Sequence, residues 1–262
     1  MQIKAFGQSD VGRVRSSNED AWAVIQDLQF FIVADGMGGH AAGEIASHMA
    51  VDIMHEFMRT SVQSSEVTWP ADIDRNLPLP VRRLVAAGHL ANEKIFQSSR
   101  ANPKLNGMGT TMVAVLVDQD TAYVAHVGDS RAYLFRNGRV DRLTEDHSLI
   151  NDYIQQGLLK IDEANQHPLK HVITRALGSS MKVEVDVKSV PLMEGDALLL
   201  CSDGLSNLLT DEELRMNGPE LLAKPQAACQ RLIDLANHKG GDDNVTVVLI
   251  TGSRPDTARP HS

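Results

Sequence analysis

The sequence predicts an α+β protein in which amphipathic helices and antiparallel strands form separate layers. Three observations carry this. Two amphipathic helical patterns stand in succession, at residues 43–59 and 81–98. From Gly107 onward the texture turns to short β-branched strands joined by tight turns. Those strands follow one another as a meander, without the crossover helices that parallel pairing needs.

Taken in order, a weak strand at residues 3–6 leads into the polar stretch SDVGRVRSSNED and a second short strand at 21–25. Arg15, Glu19 and Asp20 fall in this stretch. A solvated loop of charge pairs would account for them. So would a phosphate-binding arginine beside metal-binding carboxylates, since a guanidinium fork matches phosphate oxygens. Residues 30–34 (FFIVA) are continuously apolar, aromatic and β-branched, which marks a strand covered on both faces. It ends on Asp35, and the glycines at 36, 38, 39 and 43 allow close backbone approach. The run GGHAAGE nearly spells a nucleotide-binding loop. It fails at Glu44, where that loop needs a lysine and a carboxylate would repel phosphates.

The first helix sets Ile45, Met49, Ile53 and Phe57 four apart, with Ala46, Ala50 and Met54 beside them. Residues 60–80, rich in Ser, Pro and Asp, read as a surface connection. The second helix gathers Val81, Leu84, Val85, Gly88, Ala91 and Ile95 on one face. Strands are expected at 110–117, 121–127, 131–135 and 140–143, with a turn at Asp118-Gln119-Asp120 and a hairpin at Asn137-Gly138. Residues 144–178 form a polar, partly helical insertion. Its His147, His167 and His171 are expected to be solvated. Residues 183–187 alternate as a half-exposed strand does, and 197–201 form a buried strand ending at Ser202-Asp203-Gly204. Thr210 and Glu213 make a capping box, Pro225 opens a longer helix to about residue 236, and GGDDN leads into an apolar strand at 245–250. The expected domain spans 1–251, with a disordered tail at 252–262.

Composition narrows the function. The chain has 262 residues, 42% of them hydrophobic, enough for a substantial core. A net charge of −9 argues against nucleic acid or an anionic membrane as partner. Only two cysteines, no signal pattern and no membrane-length apolar run set the expectation of a soluble cytoplasmic protein.

Three strands end on Asp35, Asp129 and Asp203, and another begins just after Asp243. In a sandwich of antiparallel sheets such ends can collect at one edge. Gathered carboxylates repel and raise one another's pKa unless cations neutralise them. An all-oxygen donor set selects hard cations, so Mg²⁺ or Mn²⁺ is expected rather than zinc.

The segments SDVGRVRSSNEDA, VADGMGGHAAGE, GMGTTMVAVLV, AHVGDSRAYLFRNG, ITRALG, LLLCSDGLSNLL and GGDDNVTVVLI, in that order, resemble the metal-dependent protein phosphatases of the PPM (PP2C-type) family, in particular the bacterial serine/threonine phosphatases. The resemblance implies a four-layer α-β-β-α sandwich, two antiparallel sheets flanked by helix pairs. By position, it implies that Asp35 bridges two metals, with the Gly36 carbonyl on one and Asp203 and Asp243 on the other. Glu19 or Asp20 would complete the sphere, and Asp129 with Asp203 would hold a weaker third ion. Arg15 would bind the substrate phosphate, and the 144–178 insertion would be the flap bordering the cleft. The sequence departs from eukaryotic members at Met37, where they place a histidine. His40 is the remaining candidate for a catalytic acid, with metal-bound water as its equal.

The implied reaction is hydrolysis of phosphoserine or phosphothreonine by a metal-activated hydroxide, without a phosphoenzyme. Phosphoproteins are the expected partners, opposed to a bacterial Ser/Thr kinase, and a monomer is expected. Other chemistries fare worse. A cysteine phosphatase needs an arginine six residues after its cysteine, but Asn207 and Leu235 stand there. The Asp-x-Asp at 118–120 fits a hairpin turn better than a phosphate acceptor. A phosphoprotein-binding pseudophosphatase would lack a metal aspartate, and none is missing. A related phosphatase acting on anti-sigma-factor antagonists would differ in substrate alone.

Overall fold

The structure, a computed structural model, describes residues 1–38, 41–63, 69–70, 73–160, 163 and 167–253. One sheet has the order β1-β11-β10-β7-β8, formed by Gln2–Asp10 (β1), Val245–Ser253 (β11), Ala197–Cys201 (β10), Arg131–Arg136 (β7) and Arg139–Arg142 (β8). The other has the order β2-β3-β5-β6-β9: Asp20–Ile25 (β2), Phe30–Met37 (β3), Met112–Asp118 (β5), Thr121–Val127 (β6) and Asp186–Pro191 (β9). The two-residue strand Gly109–Thr110 (β4) pairs with the end of β3. Every ladder is antiparallel.

Side-chain alternation explains the layers. Phe31 and Val33 of β3 point toward the other sheet, where Leu198, Leu200, Val248 and Ile250 meet them. Phe30, Ile32 and Ala34 point the opposite way, onto helices α1 (Ala41–Gln63) and α2 (Leu79–Ala101). The outer face of the first sheet places Tyr133, Leu199, Val247 and Leu249 against Leu214, Leu221, Leu232 and Ile233. These belong to the helices Asp211–Ala223 and Pro225–His238. Four layers result, helix, sheet, sheet, helix. The unbroken apolar run at 30–34 is needed because β3 lies between two cores.

The local expectations largely match. Asn137 and Gly138 both take positive φ, as the hairpin turn requires, and the Thr210–Glu213 capping box is formed. The 118–120 segment is the tight turn between β5 and β6.

Several expectations are corrected. The first strand runs to Asp10, not to residue 6, because β11 pairs along its full length. Helix α1 buries Ala46, Ala50 and Met54, while Ile45 is exposed at its surface. Alanines let this helix lie closer to the sheet than a row of isoleucines would. The strand expected at 183–187 joins the ladder only at Asp186 and continues to Pro191, because β6 sets the register. Strand β11 reaches Ser253, so the chain is still paired where the tail was expected to begin; residues 254–262 lie outside the described residues. Among the described residues, the insertion includes a short helix, α3 (Leu149–Gln155).

Candidate metal centre

Strand pairing brings the acidic residues together. Asp20 on β2 is the direct cross-strand partner of Asp35 on β3. Asp129 sits in the bend between β6 and β7, Asp203 just past β10, and Asp243 just before β11. The apolar strands behind Asp35 and Asp203 prevent either from retreating to solvent. Glycines make room for the pocket: a Cβ at Gly36 would lie 2.2 Å from Gly43 O, and one at Gly204 would lie 2.0 Å from Asn244 O. The Gly36 amide donates to Glu19 O at 3.1 Å, locking β3 onto the acidic loop.

The electrostatics are those of crowded carboxylates. Burial pushes Asp35 well above the usual carboxylate range, and Asp20, Asp203, Asp129 and Asp243 raise it further. Burial lifts Asp20 to about 7 against the hydrogen bonds of Thr246 and Ser202. Asp129 also reaches about 7, through burial and then Asp203. Asp203 is raised by burial and by Asp243, and His171 and Arg15 pull it back. His171, expected as a solvated histidine, is exposed but close enough to act on this carboxylate.

Oxygen donors are left uncovered. Asp20 Oδ1, Asp129 Oδ1 and Asp203 Oδ1 are buried without a hydrogen-bond partner. An unmet buried carboxylate oxygen is costly, and divalent cations are the ligands that such a set accepts. The residues present therefore fit hard metal ions.

Arg15 is brought to the same place, its Nη2 donating to Asp243 Oδ2 at 2.7 Å. Asn244 fixes this corner: its amide donates to Val11 O and Ser17 O, each at 2.9 Å, and its Oδ1 accepts the Glu19 amide at 2.8 Å. Of the two acidic neighbours, Asp20 faces the aspartates. Glu19 Oε2 stands 2.0 Å from where a Cβ on Gly43 would be, on the α1 side. His40 lies outside the described residues. Beside Asp129 and Asp203 a cleft of about 740 Å³ opens, lined also by Arg142, Asn151, Lys170 and Asp211. Its wall therefore includes the insertion.

The sequence reading missed one cluster. His147 is buried, not solvated, and its ring stacks on His126 with centroids 4.7 Å apart. These two and Asp186 are a tight group of potential ligands among the described residues. A cation already stands there, since Arg175 Nη1 is 2.6 Å from Asp186 Oδ1 and 3.1 Å from His147 Nε2. Both cysteines are buried, and burial lifts Cys201 to about 12 and Cys229 to about 11, so neither supplies a thiolate. Among the described residues no helix is long and apolar enough to cross a membrane.

The family profile described as protein phosphatase 2C matches residues 11–237. The serine/threonine phosphatase stp of Listeria monocytogenes serotype 4b is 38% identical over 249 residues, covering 93% of this chain and 93% of the relative. The solved S. agalactiae serine/threonine phosphatase superposes with a TM-score of 0.83 at 35% identity, covering 95% of this chain and 99% of that one. The crystal structure of the catalytic domain of the serine/threonine protein phosphatase PstP in complex with two manganese ions gives a TM-score of 0.80 at 32% identity, covering 96% and 99%.

Proposed function

The chain belongs to the protein phosphatase 2C family, and from that premise we propose how its residues divide the work of hydrolysing phosphoserine and phosphothreonine in proteins. The protein is a metal-dependent serine/threonine phosphatase. The observation that carries the residue assignment is the convergence of Asp20, Asp35, Asp129, Asp203 and Asp243, with three buried carboxylate oxygens lacking any donor.

Asp35 and the Gly36 carbonyl, with Asp203, Asp243 and the Glu19–Asp20 pair, would hold two Mn²⁺ or Mg²⁺ ions, and Asp129 with Asp203 a third. When bound, such ions supply Lewis acidity, acidifying water and shielding phosphoryl charge. Arg15 binds the phosphate: its guanidinium stands at the rim, joined to Asp243 at 2.7 Å and half exposed, so a phosphate oxygen can reach it. The apolar strand ends behind Asp35 and Asp203 hold the carboxylates still, which preorganises the site for the charge that develops on phosphorus. Displacement is direct and in line: neither buried cysteine offers a thiolate, and the Asp-x-Asp at 118–120 is a hairpin turn and not a phosphate acceptor. His40 is this chain's candidate to protonate the departing serine or threonine oxygen. The cleft bounded by α3 and Lys170 receives the peptide flanking the phosphoresidue. A cytoplasmic monomer opposing a Ser/Thr kinase is the setting we propose.

The test is phosphate release from a phosphothreonine peptide. Asp203→Asn at saturating Mn²⁺ is expected to lose at least about a hundredfold in kcat, the scale of removing a preorganised charge-stabilising group. Chelation should abolish wild-type turnover and Mn²⁺ should restore it. Wild-type rates in Asp203→Asn would overturn the assignment.

A further inference from the structure

We propose that His147 is the positioning residue for Asp129: it grips the peptide preceding that carboxylate and ties it to both ends of the 144–178 insertion. The inference rests on the reading of Asp129 as a metal ligand.

Asp129 belongs to no strand, and no donor reaches its Oδ1, so its place is set mainly through its backbone. That backbone is held from one side by a single residue, twice. The His147 amide donates to Gly128 O at 3.0 Å, and the Gly128 amide donates to His147 Nδ1 at 3.1 Å. Gly128 has φ +104°, and a Cβ there would lie 2.7 Å from Thr111 Cβ, so the bend is clamped between Thr111 and the imidazole.

The imidazole is itself immobilised. It is buried and stacked on His126, whose Nε2 bonds to Glu145 O at 2.8 Å. Because Nδ1 accepts from a backbone amide, the proton of the neutral ring sits on Nε2, toward Asp186 Oδ2 at 3.3 Å, and Arg175 Nη1, 3.1 Å from Nε2, donates to Asp186 and not to the ring. Arg175 balances that carboxylate from the far end of the insertion, 2.6 Å from Asp186 Oδ1. The Thr174 amide donates to His147 O at 2.8 Å. One residue, through its ring and its backbone together, thus joins the Asp129 bend, the outgoing and returning ends of the insertion, and β9. A histidine serving only to fill space would need no acceptor at Nδ1.

Calorimetric titration of Mn²⁺ into the metal-stripped full chain tests this, with His147→Asn, His147→Gln and Asp129→Asn. Asparagine offers its amide oxygen near the place of Nδ1, and glutamine offers its own near Nε2. His147→Gln is expected to weaken the Mn²⁺ step that Asp129→Asn removes by about five- to tenfold, the worth of one buried hydrogen bond. His147→Asn should keep that step close to wild type, while the melting temperatures of the two metal-free variants fall alike. Equal weakening in both, or none in either while Asp129→Asn removes the step, overturns the proposal. If Asp129→Asn leaves every step intact, the ligand reading of Asp129 falls instead. Wild-type protein gives a second measurement that needs no variant. On titration with Mg²⁺, the nitrogen resonances of the Gly128 amide and of His147 Nδ1 should move together, and constancy of both would also overturn it.

Discussion

Arg15 Nη2 lies 2.7 Å from Asp243 Oδ2, joining two residues 228 positions apart at the rim of the acidic pocket. An exposed pair of this kind adds little to stability, because both charges remain solvated. Its value is positional. In the proposed site, Asp243 aims the guanidinium toward the place where a phosphate oxygen would arrive.

Arg15→Ala should therefore lower kcat/KM for a phosphopeptide by about 10- to 100-fold, the worth of one or two charge-assisted hydrogen bonds. The melting temperature should hardly change. Arg15→Lys should recover only part of the loss, since a point charge cannot reproduce the fork. Steady-state kinetics against peptide concentration checks both, and unaltered kcat/KM in Arg15→Ala would remove Arg15 from the substrate site.

The raised carboxylates make stability depend on pH in the chelated protein. Asp20 and Asp129 move from 3.8 to about 7 on folding, so between those values the folded chain holds protons that the unfolded chain has released. Their stabilising contribution is complete below 3.8 and is lost as pH rises through about 7. With EDTA present, the melting temperature should fall from pH 5 to pH 8. With saturating Mn²⁺, which in the proposed site would bind the ionised carboxylates, that fall should shrink or reverse. Thermal melts at the two pH values with and without metal provide the measurement.

Ser202 supports the pocket from below. Its Oγ donates to Asp20 Oδ2 at 2.8 Å and accepts the Thr246 amide at 2.9 Å. Ser202→Ala leaves the buried Thr246 amide without its acceptor and takes from Asp20 one of its two hydroxyl partners. The expected loss is about 1–3 kcal/mol in urea unfolding. Mn²⁺ affinity should fall as well, because Asp20 loses the bond that orients it. A variant as stable as wild type would show that the two groups find other partners.

Much of this arrangement is legible in the chain. The run at 30–34 has the texture of a strand buried on both faces, and it is one. Asn137-Gly138 and Thr210 with Glu213 carry their conformations in their own chemistry, because turn and cap preferences depend on neighbours a few residues away. Other features are only partly legible, for a common reason. Helix α1 has apolar residues around more than one face, and only the sheet decides that Ala46, Ala50 and Met54 turn inward. The alternation at 183–187 was real, since Val183, Val185 and Val187 pack on the helical core, but the ladder begins at Asp186 because β6 sets its register. His147 sits in a polar segment, and no local pattern announces a buried ring bonded to Gly128 and stacked on His126.

The segments, the turn chemistry and the acidic residues at strand ends can all be read along the chain, since each depends on contacts within a few positions. Tertiary structure decided which carboxylates face one another: Asp20 meets Asp35 through the β2–β3 register, Asp243 meets Arg15, and His147 meets the Asp129 bend. The reason is physical. A side chain's charge and preference are local, but its neighbours across a sheet or pocket are set by packing two sheets and their helices together, and that packing belongs to the whole chain at once.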